Sequence, residues 1–472
     1  MSTFSGLNTA LSGLNAARTG LNVVGQNLSN VNTAGYTRQR AELSAIGAPA
    51  GGSLFDVGAK PGQGVGVSGI ARLGDGFLDA RVRTAFSNAG YTNVRADALT
   101  DIESRMQEPG TDAVSGQLQG FWAAWQDVAN HPGDAAQAAA LLQRAAALAH
   151  TIASGYQGVA DQWSHTRGDA DSLAAEVNST ASQVAALNGQ IRTASTSGHP
   201  GSELLDQRNT LTARLSQLVG GTVRDLPDGG NEILLGGNVL VSGSQVNTVA
   251  VAGPQSMSAG KAVQLEWERR PGTAVDLDGG RLAGTLSVLS PANAEKTGGV
   301  IAETAADYDG LAESLATQVN AVHAQGFTGK GDPGQPFFSI DAGKGAALGL
   351  HVAVSGAADL ATSASATAGR DGSVADKISQ IGTSQGSPDA LWTQTVLATG
   401  IAVRTGLQQD VAAGTALANA VAVQQSNASV DIDEENVNLL AYQHAYQAAA
   451  RVMTAIDESL DVLINQTGRV GR

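Results

Sequence analysis

Seven histidines (His131, His150, His165, His199, His323, His351 and His444) are the residues with which this chain would hold a transition metal, because it contains no cysteine. A ligating pair on one helix needs imidazoles three or four residues apart. No two of these stand so, and His-Glu-x-x-His is absent. No Gly-x-Ser-x-Gly elbow or P-loop occurs in a strand-turn-helix frame. Gly62, Gly64, Gly66 and Gly69 alternate as a dinucleotide turn can, but without the following helix or a downstream acid. The acidic run Asp431, Asp433, Glu434 and Glu435 has the composition of a metal site. It equally has that of a helix N-terminus, where the dipole favours anions and Asp431 or Asp433 supplies the cap; the apolar helix that follows supports this second reading. The lack of cysteine removes thiol catalysis and disulfides. An enzyme is not expected, and neither is a cofactor.

The elements that carry the spacing signals are helices at the two ends. Gly6-Leu7-Asn8 recurs as Gly13-Leu14-Asn15 and Gly20-Leu21-Asn22, a period of seven. Leu7, Leu11, Leu14, Arg18, Leu21, Gly25 and Leu28 advance by steps of four and three, the seam of a coiled-coil-like helix that Ser2 or Thr3 can cap. At the other end Leu439, Tyr442, Tyr446, Ala449, Met453, Ile456, Leu460 and Leu463 advance likewise, with Leu440 beside them. Each Gly costs a helix about 1 kcal/mol against Ala, so the first helix is expected to gain its order from neighbours packed against the Gly6, Gly13 and Gly20 column. The adjoining Asn8, Asn15 and Asn22 are expected to fix register between subunits.

Between these ends the texture predicts a multi-domain, mainly α protein with β insertions. Its terminal helices (1–65 with 428–472) enclose an elongated helical body (66–221 with 289–330 and 389–427). A β-rich segment (222–288) and an outer β and loop insertion (331–388) interrupt it. Breaks are expected at Glu108-Pro109-Gly110, His131-Pro132-Gly133 and Gly198-His199-Pro200-Gly201, and Trp122 and Trp125 are expected in the core of the body. With 28 Lys and Arg against 43 Asp and Glu the formal net charge is −15, which opposes nucleic-acid binding. No run reaches the roughly 18 apolar residues of a membrane span, and the N-terminus lacks the pattern of a cleaved secretory signal.

The segment Asn27-Leu28-Ser29-Asn30-Val31-Asn32-Thr33-Ala34-Gly35-Tyr36-Thr37-Arg38-Gln39 resembles the N-terminal signature of the flagellar rod, hook and hook-associated proteins. Asn27, Asn30, Asn32, Gly35, Tyr36 and Arg38 carry that signature. Its Gly-Tyr-Thr-Arg-Gln ending is similar to the hook-associated branch, since hook and rod proteins usually carry Gly-Phe there. The stretches Phe121–Pro132, Leu204–Arg208 with Leu211 and Leu215, and Asp433–Ala448 are similar to the same family in the same order. The resemblance implies a structural protein exported unfolded through the flagellar type III apparatus. It implies a self-assembled junction ring between hook and filament, with the terminal helices lining the export channel. The implied partners are further copies, the hook protein, the next junction protein and an export chaperone on the C-terminal helix, outside the cell and without membrane insertion. Two alternatives remain beside it: another axial flagellar protein, hook or distal rod, or an exported adhesin or hydrolase carried on flagellar-type ends.

Overall fold

The computed structural model describes residues 3–47, 62–198, 201–257, 261–367 and 371–466. Ser2, expected as a cap, and His199 and Pro200 of the third break lie outside them, as do parts of the terminal segments at 48–61 and beyond 466. The chain begins with helix α1 (Thr3–Ser29) and an antiparallel ribbon of β1 (Gln39–Ala45) and β2 (Val65–Arg72). Four helices follow: α2 (Gly76–Met106), α3 (Val114–Asn130), α4 (Ala135–Thr196) and α5 (Ser202–Val219). They are divided at the three expected breaks.

Helix α4 is 62 residues long, about 93 Å at 1.5 Å per residue. Asp134 caps it by accepting from the Ala136 and Gln137 amides. Leu141, Leu148, Ile152, Val159, Trp163, Ala170, Val177, Ala181 and Val184 recur at helical spacing and are all buried. This one face is the spine on which the other elements pack.

The strands β3 (Thr222–Asp225), β4 (Asn231–Leu235), β5 (Asn238–Ser242) and β6 (Gln245–Val246) form an antiparallel sheet. A second comprises β7 (Val249–Ala252), β8 (Gln264–Trp267) and β9 (Arg270–Ala274). Alternation turns Ile233, Leu235 and Leu265 inward. The expectation of β structure through residue 288 needs correction, because helix α6 (Gly280–Val288) closes the segment. Two glycines in nine residues hide its helical spacing, in which Leu282, Thr285 and Val288 are buried.

After α7 (Val300–His323) come β10 (Phe327–Thr328), β11 (Phe338–Ile340), α8 (Ala346–Gly349), β12 (Leu350–Val352), β13 (Ala361–Ser363) and α9 (Ser373–Ser379). The expected outer insertion at 331–388 is thus neither purely β and loop nor detached. Phe337 and Phe338 enter the main core beside Phe121 and Trp125, with the Trp125 and Phe337 rings 5.1 Å apart. His323 pins the same region. Its Nδ1 lies 2.6 Å from the Gln335 carbonyl and its Nε2 accepts the Ala361 amide at 3.0 Å, while burial pushes its pKa down. The long α10 (Pro388–Ala428), which packs along α2, then leads into α11 (Ile432–Asp461).

Candidate assembly site at the paired termini

Helices α1 and α11 lie antiparallel in heptad register. An added Cβ at Gly6 would meet Ile456 at 3.2 Å, at Gly13 it would meet Ala449 at 3.9 Å, and at Gly20 it would meet the Tyr442 ring at 2.4 Å. The glycine column therefore receives a helix of the same chain, and the tight approach is at Gly20 rather than Gly13. Ala10, Ala16, Ala17, Val23 and Val24 complete the buried face of α1.

The leucine seam expected for α1 is displaced from this contact. Leu7, Leu14, Leu21 and Leu28 are only half-buried and Leu11 is 44% exposed. The reason is geometric: Leu14 follows Gly13 by one residue, a turn of about 100°, so the leucines form a flank beside the glycine seam. On α11 the residues Leu439, Tyr442, Ala449, Met453, Ile456 and Leu460 are half-buried, whereas Leu440 and Tyr446 are exposed, as is Leu463 in the turn that follows the helix. The expected closing seam thus splits into a face toward α1 and an open remainder. Val437, Val452, Val462 and Ile464 are exposed as well. Asn8, Asn15 and Asn22 all face solvent.

The signature segment joins this pair to the body. Asn30 closes α1, accepting from Thr33 at its carbonyl and side chain and donating to the Gln26 carbonyl. Gly35 adopts φ 78°, a left-handed conformation that suits glycine, and a Cβ there would lie 2.8 Å from Thr210 Oγ1. Asn32 is exposed. The turn delivers Tyr36, whose hydroxyl donates to Asn27 Oδ1 at 2.9 Å. Asn27, itself buried, also accepts the Gln39 amide at 3.0 Å and donates to the Gln39 carbonyl at 2.9 Å and to Glu435 Oε2 at 3.1 Å.

Arg38 then reaches across the sequence to α11. Its Nη1 and Nη2 donate to the two carboxylate oxygens of Glu434 at 2.8 and 2.7 Å, and its Nε donates to Glu435 at 2.7 Å. A two-pronged guanidinium–carboxylate contact of this kind fixes orientation as well as distance. The Glu434 hydrogen bonds hold the Arg38 pKa up, and Arg38 in turn holds the Glu434 carboxyl below its usual value. Burial, with Glu203, Asp206 and Glu435 nearby, pushes Tyr36 up to about 12, so its hydroxyl remains a donor. On the other side of the turn Asp206 accepts the Thr37 amide at 3.0 Å and Arg72 Nε at 2.6 Å.

Sequence reasoning found Asn27, Tyr36 and Arg38 but not what they bind. Asp431 does cap α11, accepting the Asp433 and Glu434 amides. Glu434 and Glu435 occupy its first turn, and they are also the anions of the Arg38 clamp. The charge complementarity of Arg38 with these acids was the available signal, concealed by about 400 intervening residues. Among the described residues no group of histidines and carboxylates is arranged to hold a metal ion, and no helix is long and apolar enough to cross a membrane.

Comparison with known proteins agrees with this layout. The family profile for the flagellar hook-associated protein FlgK helical domain matches residues 99–338. Profiles for the flagella basal body rod protein and the flagellar basal body rod FlgEFG protein C-terminal match residues 7–37 and 422–466. Flagellar hook-associated protein 1 of Bacillus subtilis (strain 168) is 29% identical across 100% of both chains. Its namesake of Salmonella typhimurium is 29% identical over 71% of this chain, which spans 58% of that relative. The flagellar hook junction protein FlgK of Burkholderia pseudomallei shares the fold, with a TM-score of 0.63 at 16% identity over 74% of this chain and all of that one.

Proposed function

The chain belongs to the family of flagellar hook-associated protein 1, and from that premise we propose that it forms the junction ring between hook and filament by packing its α1–α11 pairs against those of further copies. The observation that carries this reading is the open apolar surface of the pair. Leu11, Leu440 and Val452 are each 44–55% exposed although they lie on helices that already have a partner. Burying the exposed half of such a side chain contributes roughly 1 kcal/mol, and a ring repeats that gain at every interface. The hook protein and the next junction protein are the flanking partners. Export proceeds through the flagellar type III apparatus, with a chaperone shielding the exposed apolar stripe of α11 beforehand. The match of a hook-associated helical domain to the body favours the junction over a hook or distal-rod role.

The test is a pair of charged substitutions on the open surface. Leu11→Asp and Leu440→Asp should change the thermal unfolding of the purified chain little, since about half of each side chain is already in water. Neither variant should be found at hook tips when it replaces the natural chain in cells. Normal incorporation of both would overturn the reading.

A further inference from the structure

The terminal pair carries few charges, and their placement is specific. Arg18 is the one charged side chain among residues 1–37. Beyond the Arg38 clamp and the adjacent Asp433, α11 adds Arg451, Asp457, Glu458 and Asp461. Arg18, Arg451 and Glu458 are exposed, and none has an ion-pair or hydrogen-bond partner through its side chain among the described residues. The contact between the helices runs along Gly6, Gly13 and Gly20 on α1 and along Ile456, Ala449 and Tyr442 on α11. At 3.6 residues per turn, Arg18 lies about 140° round α1 from its contact column. By the same count His444, Arg451 and Glu458 lie about 160–200° round α11 from Tyr442, Ala449 and Ile456. Arg18 therefore stands on one outer edge of the two-helix plank, and a straight column of His444, Arg451 and Glu458, spaced by seven, stands on the other.

We infer that a second copy, lying alongside in the same direction, docks its α11 edge on the α1 edge with a two-heptad stagger that pairs Arg18 with Glu458. The antiparallel register that sets Gly13 on Ala449 makes Arg18 level with His444 of its own chain. An unstaggered neighbour would place Arg18 against His444. A shift of one heptad would place it against Arg451, where like charges repel. A shift of two heptads, about 21 Å, places it against Glu458, with Asp457 and Asp461 adjacent. Asn8, Asn15 and Asn22 share the α1 edge and repeat every seven residues, so their hydrogen bonds are compatible with any whole-heptad shift. The charges select among those shifts, as polar groups commonly fix register in helical assemblies. The two edges differ, so the contact is heterologous and continues from copy to copy, as a ring or tube requires.

This inference rests on the assembly role of the terminal pair, and its test separates the two. The absence of native cysteine makes paired cysteines unambiguous. In hook tips isolated from cells, the R18C/E458C chain treated with a short bismaleimide should give a ladder of self-cross-linked species, and R18C/R451C should not. R18E and E458R alone should each lower the fraction of hooks carrying the protein several-fold, and the double swap should restore it. A ladder from R18C/R451C, cross-linking only to a different protein, or neutral single swaps would overturn the proposed register. If those results came while Leu11→Asp and Leu440→Asp still blocked incorporation, the register alone would fail and the assembly role would stand.

Discussion

Arg38 joins two ends of the chain that are remote in sequence, and its chemistry makes the junction sensitive to geometry as well as to charge. Its side chain is 16% exposed, and the Glu435 carboxylate it meets is 2% exposed. Removing the guanidinium leaves Glu435 with only the Asn27 amide. Arg38→Ala is therefore expected to destabilise the attachment of α1 and α11 by about 2 kcal/mol, the scale of a hydrogen bond to a charged group. Limited proteolysis at residues 429–431 would register the loosening as faster cleavage. Arg38→Lys should recover little, because an ammonium cannot reproduce the two-pronged contact. The same clamp sets a pH dependence. Glu434 has a depressed pKa in the folded chain, so its contribution is complete above its unfolded value of about 4.3 and is lost as pH falls below that. Cleavage at 429–431 should accelerate below about pH 4 in the natural chain, and much less in Arg38→Ala, which has no clamp left to lose. Equal acid sensitivity in the two would show that other carboxylates govern the attachment.

The two terminal helices show which features a sequence discloses at the scale of an element. Heptad steps, the Asp431 cap and the Pro-Gly breaks are local signals, and they place α1, α3, α4, α10 and α11 because local backbone preference agrees with packing there. Which stripe of α1 meets its partner is not local information. The Gly column and the Leu column have the same period and lie one residue apart, so spacing alone cannot assign the contact. Proximity decides it: Tyr442 needs the space that Gly20 leaves. Helix α6 escaped detection for the opposite reason, since tertiary packing stabilises a glycine-containing nine-residue segment with little helical preference of its own. The glycine column yields a graded expectation. Gly13→Ala adds a methyl group 3.9 Å from Ala449 and should raise the stability of the terminal pair by up to about 1 kcal/mol through helix propensity. Gly20→Ala places its methyl against the Tyr442 ring and should lower that stability despite the same gain in propensity. Helicity melts of the two purified variants, compared with the natural chain, test the sign in each case. A Gly20→Ala chain as stable as Gly13→Ala would mean that Tyr442 moves aside at no cost.

Across the whole molecule, the main hydrophobic cluster runs from Ile102 to Trp392 and includes no residue of α1, the β1–β2 ribbon or α11. The terminal pair and its ribbon are bound to the body through polar contacts at the signature turn, chiefly Asp206 with Thr37 and Arg72 and Glu203 with Gln26. Cooperative unfolding follows shared buried apolar surface, so two bodies joined mainly by hydrogen bonds are expected to lose structure separately. Deleting residues 429–472 should leave the thermal midpoint of the body within a few degrees of the natural value. It should also expose Gly6, Gly13 and Gly20, which now face α11, and make α1 rapidly digestible up to the ribbon. The observable is a truncated chain whose resistant fragment begins near residue 39 and retains the near-ultraviolet signal of Trp125 and Trp163, both fully buried in the body. A truncation that melted as a whole at a much lower temperature would show that the ends support the body. The nested arrangement would then serve folding of the monomer as much as packing of its copies.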